Sequence, residues 1–280
     1  MGMSAILLLL CLLVTGLFPS VCFSADLVLR VKDGAVIPFK QMIDDVRKAD
    51  IVFVGEVHNM SDHHRDQLDV IRAFHEADIP LAVGLEMFRA DSQNTLNAWT
   101  RGSLSLDRFL PAYKNNWDMP WPLYQDIFLY IREHEIPLIG LNISDGVARK
   151  VALHGFGSLS AAEKKALPPG ISCRVDAKYM EFIRQAYAEH SGSDRPFLNF
   201  CEAQMVRDKS MAWRLIAYQK KNPKRTMVVL AGVGHAWKRG IAEQVNLESQ
   251  LSIRSILPYL PGQVDQHSVT TGDADYVLLP

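Results

Sequence analysis

Four short runs rich in β-branched and other apolar residues, Ile51–Val54, Leu81–Leu85, Leu138–Leu141 and Met227–Ala231, constrain this chain more than any other feature. Each has strand length, each is too apolar to leave either face in water, and the segments between them carry helical periodicity. Strands buried on both faces and alternating with helices imply a mainly parallel β-sheet with helices on both sides. The segment after the first run starts at a capping candidate, Ser61 or Asp62, and sets Leu68, Ile71 and Phe74 on one helical side. A second helix, from about residue 199 to 221, aligns Cys201, Met205, Asp208, Ala212 and Leu215 on one face. Leu251–Leu257 and Tyr276–Leu279 read as late strands. Trp99–Tyr130 and Ala152–Ser172, rich in Trp, Pro and Gly, read as helical or loop insertions, or lids.

A chain of 280 residues with 48% hydrophobic content can bury a full core in a single domain. Its formal net charge of −1 removes the positive field that binding to nucleic acid or an anionic membrane surface requires, so no nucleic-acid partner is expected. Residues 1–25 read as a signal peptide: an apolar run from Ala5 to Phe18, Pro19, small residues and cleavage after Ser24 or Ala25. An uncleaved anchor, or lipidation at Cys22, would put the chain on a membrane. The domain is then 26–280. In an exported, oxidising setting Cys173 and Cys201 form either a disulfide or two buried thiols.

Each of the four strands ends in a polar group: Glu56 and His58, then Glu86, Asn142 and His235. The carboxyl ends of parallel strands share one edge, where loops converge and ligands bind. Two segments repeat one form, Gly55-Glu56-Val57-His58 and Gly232-Val233-Gly234-His235, in which glycine turns the chain off the strand and histidine faces back over the edge. Two His and two Glu suit a divalent metal such as zinc or manganese, or a metal-free acid–base site, in which Glu56 and Glu86 handle protons. His64 is a supporting candidate behind them. Asp208, alone on an apolar stripe, needs a partner from another segment, either a site histidine or a structural cation, because Arg207 points elsewhere. Trp117, Trp121, Tyr124 and Phe128 either pack the core or line a pocket for a flat ligand. The third glycine of a dinucleotide fingerprint, a phosphate loop, a Gly-x-Ser-x-Gly elbow and His-Glu-x-x-His are all missing from the sequence.

The segments VFVGEVHNMSDHHRDQLDVI, VGLEMF, IPLIGLN, EAQMVRDKSMA and VVLAGVGH, in this order, resemble the ChaN-like haem-binding proteins of the Tiki superfamily. The resemblance covers a core of about 49–245 and extends to Tiki-type metalloproteases and erythromycin esterase-like hydrolases. It implies an exported haem-binding protein of bacterial haem and iron uptake, periplasmic or membrane-associated, with haem as partner, a homodimer and a tyrosine as iron ligand. Tyr124 and Tyr113 are the candidates for that tyrosine, and Gly55 to His58, Glu86, Arg207, Asp208 and Gly232 to His235 match the family's motifs. The alternative is a metal-dependent hydrolase, of protease or esterase type, built on His58, His235, Glu56 and Glu86.

Overall fold

The computed structural model describes residues 26–189 and 196–280; the leader read at 1–25 lies outside them. A short antiparallel pair opens the chain, β1 (Leu27–Arg30) and β2 (Ala35–Pro38), followed by helix α1 (Phe39–Val46). Then come β3 (Ile51–Glu56), α2 (Ser61–Glu76), β4 (Leu81–Arg89), α3 (Gln93–Thr100), α4 (Leu106–Asn116), α5 (Trp121–Glu133) and β5 (Leu138–Asn142). The second half holds α6 (Asp145–His154), α7 (Ala161–Lys165), α8 (Ala177–Glu189), α9 (Phe197–Lys221) and β6 (Thr226–Gly232). It ends with α10 (Val233–Ala236), α11 (Ile241–Glu248), β7 (Ile253–Pro258) and β8 (Tyr276–Leu278).

One sheet runs in the order β2-β1-β8-β7-β3-β6-β4-β5. From β8 to β5 every neighbouring pair is parallel, and the four strands expected from the sequence are the contiguous block β3-β6-β4-β5. Alternation along each strand sends Val52, Val54, Val228 and Leu230 into one apolar layer, under α1, α2 and α3 to α5. Ile51, Phe53, Val229 and Ala231 go to the other, under α6, α8, α9 and α11. Both faces are therefore dry, as the apolar runs require.

Two sequence expectations change. Residues 99–130 are no lid: Trp99, Phe109, Tyr113, Tyr124 and Phe128 are fully buried and stack on one another as the core of the first layer. Neither Ser61 nor Asp62 caps α2, because the helix begins at Ser61 itself with Met60 in the cap position. The turn before it is held instead by the Val57 N–H donating to His63 Nδ1 at 3.0 Å. The hairpin β1–β2 is too short and too mixed to show as a run. On α9, Cys201, Met205, Asp208, Ala212 and Leu215 are all buried as expected, and Cys201 is bridged to Cys173.

Candidate functional site

The β4–β5 pairing shows how the strand ends are set. The register slips between Leu85 and Arg89, and a Cβ at Gly140 would stand 2.4 Å from the Arg89 carbonyl oxygen, so glycine is required where β5 passes the bulge. The Asn142 amide donates to the Glu86 carbonyl at 2.9 Å and pins the irregular segment. Glu86 is thereby aimed across β6, where its Oε2 accepts from the Gly232 N–H at 2.7 Å.

Glu56 ends β3 on the side of the first layer and is 1% exposed. Its Oε1 lies 2.5 Å from His58 Nδ1 and accepts from the Tyr124 hydroxyl at 3.2 Å, while Oε2 meets His64 Nε2 at 3.2 Å. Asp208, on α9 in the second layer, is fully buried. Its Oδ1 lies 2.6 Å from His235 Nδ1 and its Oδ2 accepts from the Tyr179 hydroxyl at 2.7 Å. The two arrangements are counterparts: tyrosine, buried carboxylate and histidine, one from each face of the sheet. In each, the carboxylate fixes the Nδ1 side of the ring and leaves Nε2 for the crevice. Between them stands Glu86, with Oε1 3.5 Å from His235 Nε2. A Cβ on Gly232 would fall 2.8 Å from His58 Cε1, so the imidazole packs over the bare glycine. Trp117 meets the same ring edge-on, with centroids 4.8 Å apart.

The electrostatics follow from this placement. Burial pushes the Glu56 carboxyl up, but hydrogen bonds from His58 and His64 outweigh it and bring it to about 2. Burial opposes a proton on His235, yet the charges of Glu86 and Asp208 and the hydrogen bond to Asp208 raise it to about 9. His58 is likewise raised, with burial overcome by its bond to Glu56 and the charges of Glu86 and Glu56.

The four residues expected to ligate a metal meet at one edge and all line the same cleft. Among the described residues no group of three or more His, Cys, Asp or Glu side chains has the arrangement to hold an ion. The reason is local: Glu56 stands behind His58 and spends its oxygens on two rings and a hydroxyl, and His235 Nδ1 is taken by Asp208. Tyr113 and Tyr124 both turn inward. The Tyr113 hydroxyl donates to the Met119 carbonyl at 2.9 Å, and that of Tyr124 to Glu56. Burial and the Glu56 charge raise the pKa of both, which disfavours a phenolate. Tyr179 was missed by sequence reasoning. Its signal was a hydroxyl on the apolar stripe of α8 beside Ile183, the same signal that exposed Asp208.

Above these residues opens a cleft of about 1010 Å³, at the upper end of the range for small-molecule sites. Met87, Trp117, Met119, Phe182 and Phe200 supply apolar surface. Arg149 and Arg207 also line it, and among the described residues neither forms an ion pair. No Ser, Thr, Cys, Lys or Tyr is among the described residues of the lining.

Residues 42–245 match the family described as haem-binding uptake, Tiki superfamily, ChaN. No curated protein sequence gives a significant match. Among solved structures the chain is similar to one described as cofacial heme binding to ChaN of Campylobacter jejuni, at TM-score 0.72 and 20% identity, covering 90% of this chain and 95% of that one. It is also similar to an erythromycin esterase mutant in its open conformation, at TM-score 0.51 and 13% identity, covering 78% and 72%. At these identities the structural likeness concerns the fold, and the family rests on the sequence match. Built on that fold and carrying both Gly-x-x-His segments inside the matched span, the chain belongs to the ChaN family of haem-binding uptake proteins in the Tiki superfamily.

Proposed function

We propose that this protein binds haem in the cleft above Glu56, His58, Glu86 and His235. Support comes from the family and from the chemistry of the lining. A porphyrin is flat and apolar with two anionic propionates and an iron that takes nitrogen or oxygen donors. The cleft offers an aromatic and thioether wall, two arginines that form no ion pair among the described residues, and two imidazoles held through Nδ1. The residues present therefore fit the ligand. The single observation that carries the reading is this combination at the edge where the family's motifs end.

Haem is cargo in this reading, and its iron brings the ligand-accepting centre. The side chain of His58 is 39% exposed and that of His235 10%, so His58 is the more accessible donor. It replaces Tyr113 and Tyr124, whose hydroxyls are spent inside the core. Trp117 holds the His58 ring edge-on and keeps its plane fixed. The finer role is export followed by haem and iron uptake, in the periplasm or at a membrane of a bacterium, as a homodimer. The apolar run Ala5 to Phe18 and the family's uptake description support it. No helix among the described residues is long and apolar enough to cross a membrane.

The test is a titration of the purified protein with ferric haem, followed by absorbance. The expected result is saturable binding with an imidazole-type spectrum that changes in His58→Ala. Absence of saturable binding would remove the proposal, and a tyrosinate-type spectrum unchanged in His58→Ala would remove the ligand assignment.

A further inference from the structure

We infer that a side bay between α8 and the loop after β7 is a second ligand site, for a small uncharged phenol whose hydroxyl pairs with the indole N–H of Trp237. The bay measures about 200 Å³, below the usual range for drug-sized ligands, so it suits a single ring. On α8 the residues Lys178, Glu181, Phe182 and Gln185 recur at steps of three and four and form one wall. The turn from Leu260 to Val264 forms another, closed by the Val264 N–H donating to the Leu260 carbonyl at 2.8 Å. Val233 and Trp237 complete the lining. Phe182, Gln185, Val233, Leu260 and Gln263 also line the strand-end cleft, so the bay adjoins it.

Trp237 carries the argument. It is 6% exposed and its Nε1–H has no hydrogen-bond partner among the described residues, whereas the Nε1–H of the equally buried Trp99 donates to the Phe128 carbonyl at 3.0 Å. A buried donor without an acceptor is costly, and a ligand that brings an oxygen to it removes the cost. The rest of the lining sets the ligand's class. Phe182 meets Trp237 with ring centroids 4.9 Å apart, and together with Val233, Leu260 and Val264 it gives an aromatic ring its apolar contacts. Lys178 is already engaged, donating to the Ser268 carbonyl at 3.0 Å and to Asp273 Oδ2 at 2.5 Å. Glu181 is exposed, forms no ion pair among the described residues and has only the Gln185 amide near it, at 3.5 Å. An anion would therefore meet an unpaired carboxylate and no free cation. A hydroxyl is the neutral group that accepts from the indole and donates to Glu181 through one oxygen, and on an aromatic ring it also fits the walls.

This inference does not rest on haem binding, and its assay contains no haem. The purified full chain, labelled with ¹⁵N, is titrated with 4-methylphenol, toluene and 4-methylbenzoate while the indole N–H resonances are followed by NMR. The Trp237 resonance is identified by its loss in Trp237→Phe. The expected result is a saturable shift of the Trp237 resonance with 4-methylphenol, and binding of toluene and 4-methylbenzoate weaker by about 10-fold. In Trp237→Phe, which keeps an aromatic ring and removes the N–H, the backbone resonance of Val264 should report a comparable loss of affinity for 4-methylphenol. Wild-type protein without a saturable Trp237 shift overturns the inference, as does a shift confined to the Trp117 indole, which would put the phenol in the large cleft. Toluene bound as tightly as 4-methylphenol overturns the hydroxyl contact, and tighter binding of 4-methylbenzoate overturns the uncharged class.

Discussion

His235 Nδ1 and Asp208 Oδ1 lie 2.6 Å apart in a site where Asp208 is wholly enclosed. The ring owes its orientation to that carboxylate and its proton to the charges of Glu86 and Asp208, and Asp208 is in turn held by the Tyr179 hydroxyl at 2.7 Å. Removing the carboxylate leaves a buried cation without its counter-charge, so Asp208→Ala should destabilise the protein by about 3–5 kcal/mol. Tyr179→Phe removes a single hydrogen bond and should cost about 1–2 kcal/mol. Urea unfolding of the two variants checks the order; equal, negligible losses would show that the pair contributes nothing to stability.

The two relays give the stability a defined pH dependence. His235 moves from an ordinary 6.5 to about 9, so its contribution is complete below about 6.5 and is lost as pH rises toward 9. Glu56 moves from 4.5 to about 2, so its contribution is complete above about 4.5 and is lost as pH falls toward 2. Calorimetry should find melting highest between about pH 4.5 and 6.5. In Glu56→Gln the acid limb should flatten, and in His235→Gln the alkaline limb should.

Much of this site could be read from the order of residue types. Glu56, His58, Glu86 and His235 were visible because each follows an apolar run, and a parallel sheet forces such residues to one edge. Asp208 was visible because a carboxylate on an apolar helical stripe demands a partner. A site histidine was among the partners expected for it, and His235 is that partner; the tyrosine hydroxyl on its other oxygen was not foreseen. Tyr179 lies on α8, in a segment without a strand boundary to mark it, and a tyrosine on a buried face usually signals packing alone. The metal reading gains no support from the geometry: spacing places Glu56 and His58 together but does not tell that the carboxylate stands behind the ring rather than beside it. Prolines at 111, 120 and 122 disguised α4 and α5 as a lid, although Pro111 sits inside α4 and Pro122 in the first turn of α5.

Gly232 is a place where a methyl group reports on His58. In Gly232→Ala the new Cβ would stand 2.8 Å from His58 Cε1 and 3.3 Å from Nε2, so the ring must shift away from β6. The expected cost in stability is about 1–3 kcal/mol. The expected gain is diagnostic: the spectrum of bound haem should change as it does in His58→Ala. An unchanged spectrum would place the iron elsewhere.

The Cys173–Cys201 bridge closes a segment of 28 residues in sequence separation that includes α8 and hence Tyr179 and Phe182. Loop-closure entropy gives it about 3–4 kcal/mol of stabilisation. Replacing both cysteines by alanine should lower stability by that amount, measured by urea unfolding under non-reducing conditions. A loss below 1 kcal/mol would mean that the tether constrains the unfolded chain little.

The location of haem at the strand-end cleft is tested most directly by amide hydrogen exchange of the protein with and without bound haem. The account predicts that protection rises in residues 56–58, 115–119, 203–207 and 232–235, the segments that bring His58, Trp117, Arg207 and His235 to the cleft. Saturable haem binding with these segments unchanged and protection confined to other surfaces would contradict it.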